Sequence, residues 1–229
     1  MKPLVLLTLA FAPALTAAAD RKEVLLTVDA GPDQYPPDAL AQRIEGDVAI
    51  KLHVEADGAL RCSVMPNPAL AALRRPSCAL IVARDIFGPR YVDGKPVATD
   101  YDVVVRWKTS TDNSQFGGAI PISRPLWVTL KDYPSMAMRT MNGGRVDVGF
   151  AISAMGRVEG CKVTRSNTDE TMAGAVCPLL LKRALFLPAL DEKGVPRATA
   201  GVLHVHWQFC PASEPECDAP DTGLVKRPG

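Results

Sequence analysis

The sequence predicts an α+β protein made of two tandem copies of one small unit, each a three-stranded antiparallel sheet packed with two helices. Three observations carry this. In the stretch 34–58, Val48, Ile50, Leu52 and Val54 alternate with Asp47, Ala49, Lys51, His53 and Glu55, a two-residue period that buries one face of a strand and wets the other. The pattern returns ninety-eight residues on: Tyr133-Pro134 echoes Tyr35-Pro36, Gly144 echoes Gly46, and Val146, Val148, Phe150 and Ile152 repeat the inward-facing set. The spacing from Cys62 to Cys78 equals that from Cys161 to Cys177.

Residues 1–19 combine Lys2, an apolar run and the small-residue end Ala17-Ala18-Ala19, the three parts of a secretory signal peptide whose cleavage leaves Asp20 first. The competing expectation is an uncleaved inner-membrane helix, which the break at Pro13 disfavours. The first unit is expected over 22–108. The run Val24 to Val28 reads as an extended lead-in stopped by Gly31-Pro32. Pro36 and Pro37 fit only a helix start, so a short helix is expected over 38–43, ended by Gly46. After the long strand, Asp57-Gly58 supplies a hairpin turn, and 59–64 pairs back carrying Cys62. A second helix is expected over 77–86, with Ser77 as its cap and Cys78 in its first turn. Phe87 and Pro89 close it, Asp93-Gly94 marks a turn, and 101–108 forms a last strand with Val103, Val105 and Trp107 inward.

Residues 109–126 lack periodicity and are rich in Ser, Thr, Gly and Pro, the composition of a linker between domains. The second unit, 127–209, repeats the order: a helix over 134–141, a strand over 144–153, a turn at Met155-Gly156, a strand over 157–163 with Cys161, and a helix from Cys177 to 185 with Pro178 in its first turn. Leu203, Val205 and Trp207 match Val103, Val105 and Trp107 in a final strand ending at Phe209. The tail, 210–229, is Pro-rich and polar.

Lys and Arg number 26 against 25 Asp and Glu, so charge supplies no footprint for nucleic acid or an anionic membrane. Six cysteines allow fifteen pairings. The repeat picks out Cys62 with Cys78 and Cys161 with Cys177, leaving Cys210 with Cys217. Bridges of this kind agree with export to an oxidising compartment. Zinc would require closer ligand spacing. His204 and His206 share one strand face, but no third ligand is evident, so no metal site is assigned. Nucleophile-elbow, HExxH, phosphate-loop and CxxC motifs are missing. Asp169, Glu170, Asp191 and Glu192 fall in loops and read as hydrated charges. No catalytic residue or cofactor is assigned, and an envelope enzyme with a site between the units is the remote alternative.

Taken together, Gln34-Tyr35-Pro36, Arg43-Ile44-Glu45-Gly46 with Val48, Asp57-Gly58, Phe87 with Pro89, and Gly94 with Val97 resemble, in order and approximate spacing, the C-terminal domain of TonB, the periplasmic energy transducer of Gram-negative bacteria. The second copy keeps Tyr133-Pro134, Gly144, Val146, Gly156, Phe186-Leu187-Pro188 and Gly194, with Asp132 in place of the Gln. The resemblance covers 34–108 and 130–209. It implies a non-enzymatic periplasmic protein that recognises envelope proteins, TonB-dependent outer-membrane transporters among them, by adding an extended segment of the partner to an open sheet edge. The contacts it implies are Gln34, Tyr35, Pro36, Tyr101, Val103 and Val105, with Tyr133, Pro134, Leu203 and Val205 in the second copy. The bland alternative is that Tyr35 and Pro36 only start a helix. A membrane-anchored transducer with an uncleaved N-terminal helix is the alternative function.

Overall fold

The computed structural model describes residues 25–208 apart from 141; the expected signal peptide and the Cys210–Cys217 pair lie outside the described residues. The chain opens with β1 (Leu26–Ala30), a turn of 3-10 helix at Pro32–Gln34 and the short helix α1 (Pro37–Ala41). Strand β2 (Gly46–Val54) follows, then β3 (Leu60–Val64). The alternation read from the sequence is the alternation observed: Val48, Ile50, Leu52 and Val54 are all buried, and their neighbours are not. Gly46 has φ +151°, and a Cβ there would lie 2.9 Å from Leu70 Cδ2, so the chain needs glycine where it passes under this side chain. The expectation that Gly46 ends α1 is corrected: that turn is made earlier, where Arg43 takes φ 50°.

Helix α2 (Ala71–Val82) buries Leu73, Ser77, Leu80 and Ile81, the stripe of a helix lying on a sheet. The expected span of 77–86 with Ser77 as cap is corrected. Pro76 lies inside the helix and Ser77 is fully buried in its interior. A proline removes one backbone hydrogen bond; here the apolar stripe on either side of it continues through. The hairpin at Asp93-Gly94 joins β4 (Arg90–Val92) to β5 (Lys95–Val97), and β6 (Thr99–Trp107) buries Val103, Val105 and Trp107 as expected.

The connecting segment carries a strand of its own, β7 (Ile120–Ile122), buried along its whole length, and the fully buried Phe116. Helix α3 (Ser135–Arg139) precedes β8 (Gly144–Ile152) and β9 (Val158–Ser166). Helix α4 (Glu170–Arg183) starts at Asp169, whose Oδ1 accepts from the Met172 backbone N–H at 3.0 Å, and buries Met172, Val176 and Leu180. The expected start at Cys177 is therefore corrected, and Pro178 lies inside the helix. The Asp169 cap, two turns upstream of Cys177, sets where this helix begins, and the proline does not. Strands β10 (Leu185–Leu187), β11 (Ala189–Leu190), β12 (Pro196–Arg197) and β13 (Thr199–Trp207) complete the described chain.

Two larger sheets result. One has three strands in the order β13-β8-β9, all antiparallel. The other has six, in the order β10-β7-β1-β6-β2-β3. The expected three-stranded sheet of the first unit is thus present as β6-β2-β3 but is extended on the β6 side. β1 pairs with β6 in parallel, from Leu26 opposite Val103 to Ala30 opposite Trp107. β7 then bridges β1 and β10. The reason is burial: Val28, Ala30, Ile120 and Ile122 leave water by joining the sheet, and their backbone groups must then be paired within it.

Each three-strand set has an apolar core, one around Trp107 and one around Trp207. Each is fastened by a disulfide from edge strand to helix, Cys62–Cys78 and Cys161–Cys177, with Cα separations of 5.9 and 5.5 Å. These are the two pairings that the repeat picks out.

Candidate interaction edge

The residues expected to meet a partner fall into two groups. Gln34 closes its own turn, its Oε1 accepting from the Gly31 N–H at 2.9 Å. Tyr35 is buried with its ring edge-on to Trp107 at 4.9 Å. Burial first and the nearby Glu45 carboxylate second push its phenol up to about 12. Pro36 starts α1. In the second half Tyr133 stands edge-on to Trp207 at 5.3 Å and its hydroxyl donates to the Asn142 carbonyl. Burial, then Asp169, raises its phenol. Pro134 is half-buried just ahead of α3. These side chains fix where the chain enters each core.

The second group lies on β6 and β13. Val103 and Val105 face the core, and the Tyr101 hydroxyl donates to the Gly88 carbonyl at 2.8 Å. The expected open edge on β6 is not there: the strand lies between β2 and β1, so from Val103 to Trp107 it has a neighbour on either side. This part of the expectation is corrected, because a segment of the same chain already occupies the position.

On β13, Leu203 and Val205 likewise face the core. β13 pairs with β8 along its whole length, and among the described residues no strand lies on its other side. The beginning of that side is sheltered by the 3-10 turn Ser114–Phe116: Thr199 Oγ1 donates to the Phe116 carbonyl at 3.2 Å, and Arg197 Nη2 to the Gly117 carbonyl at 3.3 Å. The stretch 202–207 extends beyond this cover, and Val202 is exposed.

The sheets end elsewhere in β10, β3 and β9, and the outer side of β10 is met by an antiparallel bridge from Arg157 to Leu185. β3 has five residues, and its disulfide to α2 lies beside an open groove of about 450 Å³ lined by Val64, Ala71, Arg74, Arg75 and Cys78. β9 carries two register shifts against β8 and exposes Lys162 and Arg165, devices that discourage pairing at an edge. β13 pairs with β8 through nine consecutive residues without a shift.

The polar face of the β13 sheet holds a compact charge cluster. Asp147 Oδ1 accepts from Arg145 Nε at 2.6 Å and lies 2.7 Å from His204 Nδ1. Arg145 first, and His204 after it, hold the Asp147 carboxyl below its ordinary range. His206 is exposed and in register with Arg145. Among the described residues no group of three or more His, Cys, Asp or Glu is arranged to hold a metal ion.

The second half is thus a small sheet with one long strand that is paired on a single side among the described residues, and with a helix fastened to its far edge by a disulfide. Residues 129–209 match the family model described as Gram-negative bacterial TonB protein C-terminal. The chain is also similar to the NMR solution structure of the Helicobacter pylori TonB C-terminal domain, with 21% identity over 34% of this chain and 69% of that one and a TM-score of 0.26. No curated protein matches the chain. Family and disulfides together suggest an envelope protein concerned with protein interaction.

Sequence reasoning misses β1 as a cover for β6. The available signal is the apolar alternation of Leu26, Val28 and Ala30, too short to name its partner strand.

Proposed function

We propose that this chain is a non-enzymatic periplasmic protein with two tandem TonB C-terminal-like domains, 22–108 and 127–209, and that it captures extended segments of envelope proteins by strand addition on the outer side of β13, assisting TonB-dependent transport across the outer membrane. The observation that supports this best is the contrast between equivalent strands: β6 holds β1 along its outer side, and β13 has no strand there among the described residues. Backbone groups on such an edge give affinity to any extended chain, and neighbouring side chains choose among them. Leu203 and Val205 shape the apolar side of the added strand's surroundings, while His204 and His206 lie on its polar side. Tyr133, followed by Pro134, packs its ring edge-on against Trp207 of the same strand.

The test is titration of the isotopically labelled protein with peptides from the N-terminal segments of outer-membrane transporters. Shifts confined to the amides of 202–207 and their neighbours are expected. Saturating peptide that leaves those amides unmoved overturns the proposal.

A further inference from the structure

The first half of the molecule contains an added strand, and its contacts indicate what the second half would select. Along β1, Leu26, Val28 and Ala30 turn toward the core, with Val28 and Ala30 fully buried, while Thr27 and Asp29 lie on the polar face. Asp29 is in register with Arg106 of β6, and Arg106 is in register with Asp47 of β2. The three form one row across the sheet, the guanidinium lying 3.4 Å from the Asp29 carboxylate and 3.7 Å from that of Asp47. A cation on the receiving strand is thus bracketed by one carboxylate from the sheet and one from the added strand.

The corresponding row of the second half has a different sign. His206 stands at the place of Arg106, and Arg145, in register with it on β8, at the place of Asp47. The carboxylate that β2 supplies is replaced by a guanidinium, and the place of Asp29 is vacant among the described residues. The rest of this face adds Lys162 and Arg165 from β9 against Asp147 and Glu159, and Asp147 is engaged by Arg145 and His204. A strand arriving beside His206 meets an imidazole and, beyond it, the Arg145 guanidinium, in a row that lacks a carboxylate of its own.

We infer that β13 selects an added strand bearing a carboxylate at the position beside His206, within a segment whose alternate residues are apolar, as in β1. The inference rests on strand addition at β13 and names the partner's chemistry. An imidazole N–H donates to that carboxylate and Arg145 attracts it across the row; such contacts on a wet sheet face contribute modestly to affinity and more to choice of partner.

The probe is a synthetic peptide with the sequence of residues 24–31, VLLTVDAG, compared with versions carrying Asn or Lys in place of the Asp, each titrated into the full chain. The Asp peptide is expected to bind roughly three- to tenfold more tightly than the Asn peptide, with the Lys peptide weakest. That preference should shrink in high salt and in the His206→Gln variant, whose substitution is on the exposed face. If all three peptides shift the 202–207 amides with equal affinity, charge selection is overturned and strand addition stands. If the peptides move the amides of β6 instead, by exchanging with β1, or move neither strand, selection at β13 is overturned together with the reading it rests on.

Discussion

The indole Nε1 of Trp107 donates to Ser77 Oγ at 2.8 Å, and the Ser77 hydroxyl in turn donates to the Leu73 carbonyl at 2.7 Å. Both side chains are fully buried, so strand β6 and helix α2 are joined by a hydrogen bond sealed from water. At the matching place in α4, just before the helix cysteine, stands Val176, and Trp207 Nε1 has no partner among the described residues. The halves make opposite compromises, since the Tyr35 hydroxyl lacks a partner where its counterpart Tyr133 has one. Ser77→Ala is expected to destabilise by about 1–3 kcal/mol, the cost of leaving a buried donor unmet. Urea denaturation with unchanged m-value measures it; an effect under a few tenths would mean the bond contributes nothing.

Arg183, at the end of α4, grips Asp132 with two nitrogens at 2.6 and 2.7 Å. Thr129 adds donors from its backbone and its hydroxyl. Arg183 chiefly, with Thr129, holds the Asp132 carboxyl down at about 2. Because the folded value lies below the unfolded one, the pair's contribution is complete above the ordinary carboxylate range near 3.8 and is lost as pH falls through about 2. Asp132→Asn should cost about 1 kcal/mol at neutral pH. Stability measured from pH 6 down to about 2 should then fall less steeply in the variant than in the parent.

What is legible in the sequence is whatever a short period or a repeat can encode. The inward faces of β2, β6, β8 and β13 follow from alternation, and both disulfides from duplicated spacing. Helix limits are not legible in the same way, because Pro76 and Pro178 look like boundaries and the helices run through them. β1 and β7 escape because their pairing has no local turn to announce it: Leu26 meets Val103 in parallel, and β7 is three residues long. The candidate edge is legible only as one of two equivalent strands. Which one stays open depends on where Leu26–Ala30 settles, a tertiary choice that burial decides.

The two bridges differ in sequence but span loops of the same length, each with a sequence separation of 16. In a chain-entropy account each contributes about 3 kcal/mol. Replacing either pair by serines should lower stability by that order and weaken the hold of its helix on its edge strand. Amide exchange in the variants is expected to accelerate first in α2 and β3 for the Cys62–Cys78 pair and in α4 and β9 for Cys161–Cys177; exchange unchanged in those elements would count against the role.

His53 projects from the polar face of β2 with Nδ1 2.6 Å from Asp100 and Nε2 3.4 Å from Glu55. The Asp100 hydrogen bond first, and Glu55 after it, raise the imidazole above its ordinary value of 6.5. The sign follows: a raised folded value gives stabilisation that is fully present below the unfolded value and fades as pH rises through the folded one. The ring-proton resonances of His53 should titrate above 6.5, and Asp100→Asn should bring the midpoint down. An unchanged midpoint in that variant would remove Asp100 as the cause.

Phe186 ties the two halves of the molecule together. Its backbone N–H donates to the Gly156 carbonyl at 2.8 Å, it pairs with Pro121 across β10 and β7, and its ring packs 4.9 Å from Trp127 and 5.2 Å from Phe116. Gly156, at φ +72°, leaves no room for a Cβ, which would fall 1.9 Å from the Phe186 carbonyl oxygen. Next to this, the buried Arg84 guanidinium donates through Nε to the Pro188 carbonyl at 2.9 Å, joining α2 to the chain after β10. A strand from one half completing the sheet of the other makes separate melting costly, because either half unfolding alone exposes Ile120, Ile122 and Leu187. Calorimetry is expected to give one transition, and Phe186→Ala should lower it as a whole by about 3–5 kcal/mol. Two resolved transitions in the parent protein, or a variant in which only the β8 sheet loses stability, would show that the shared sheet does not couple the halves.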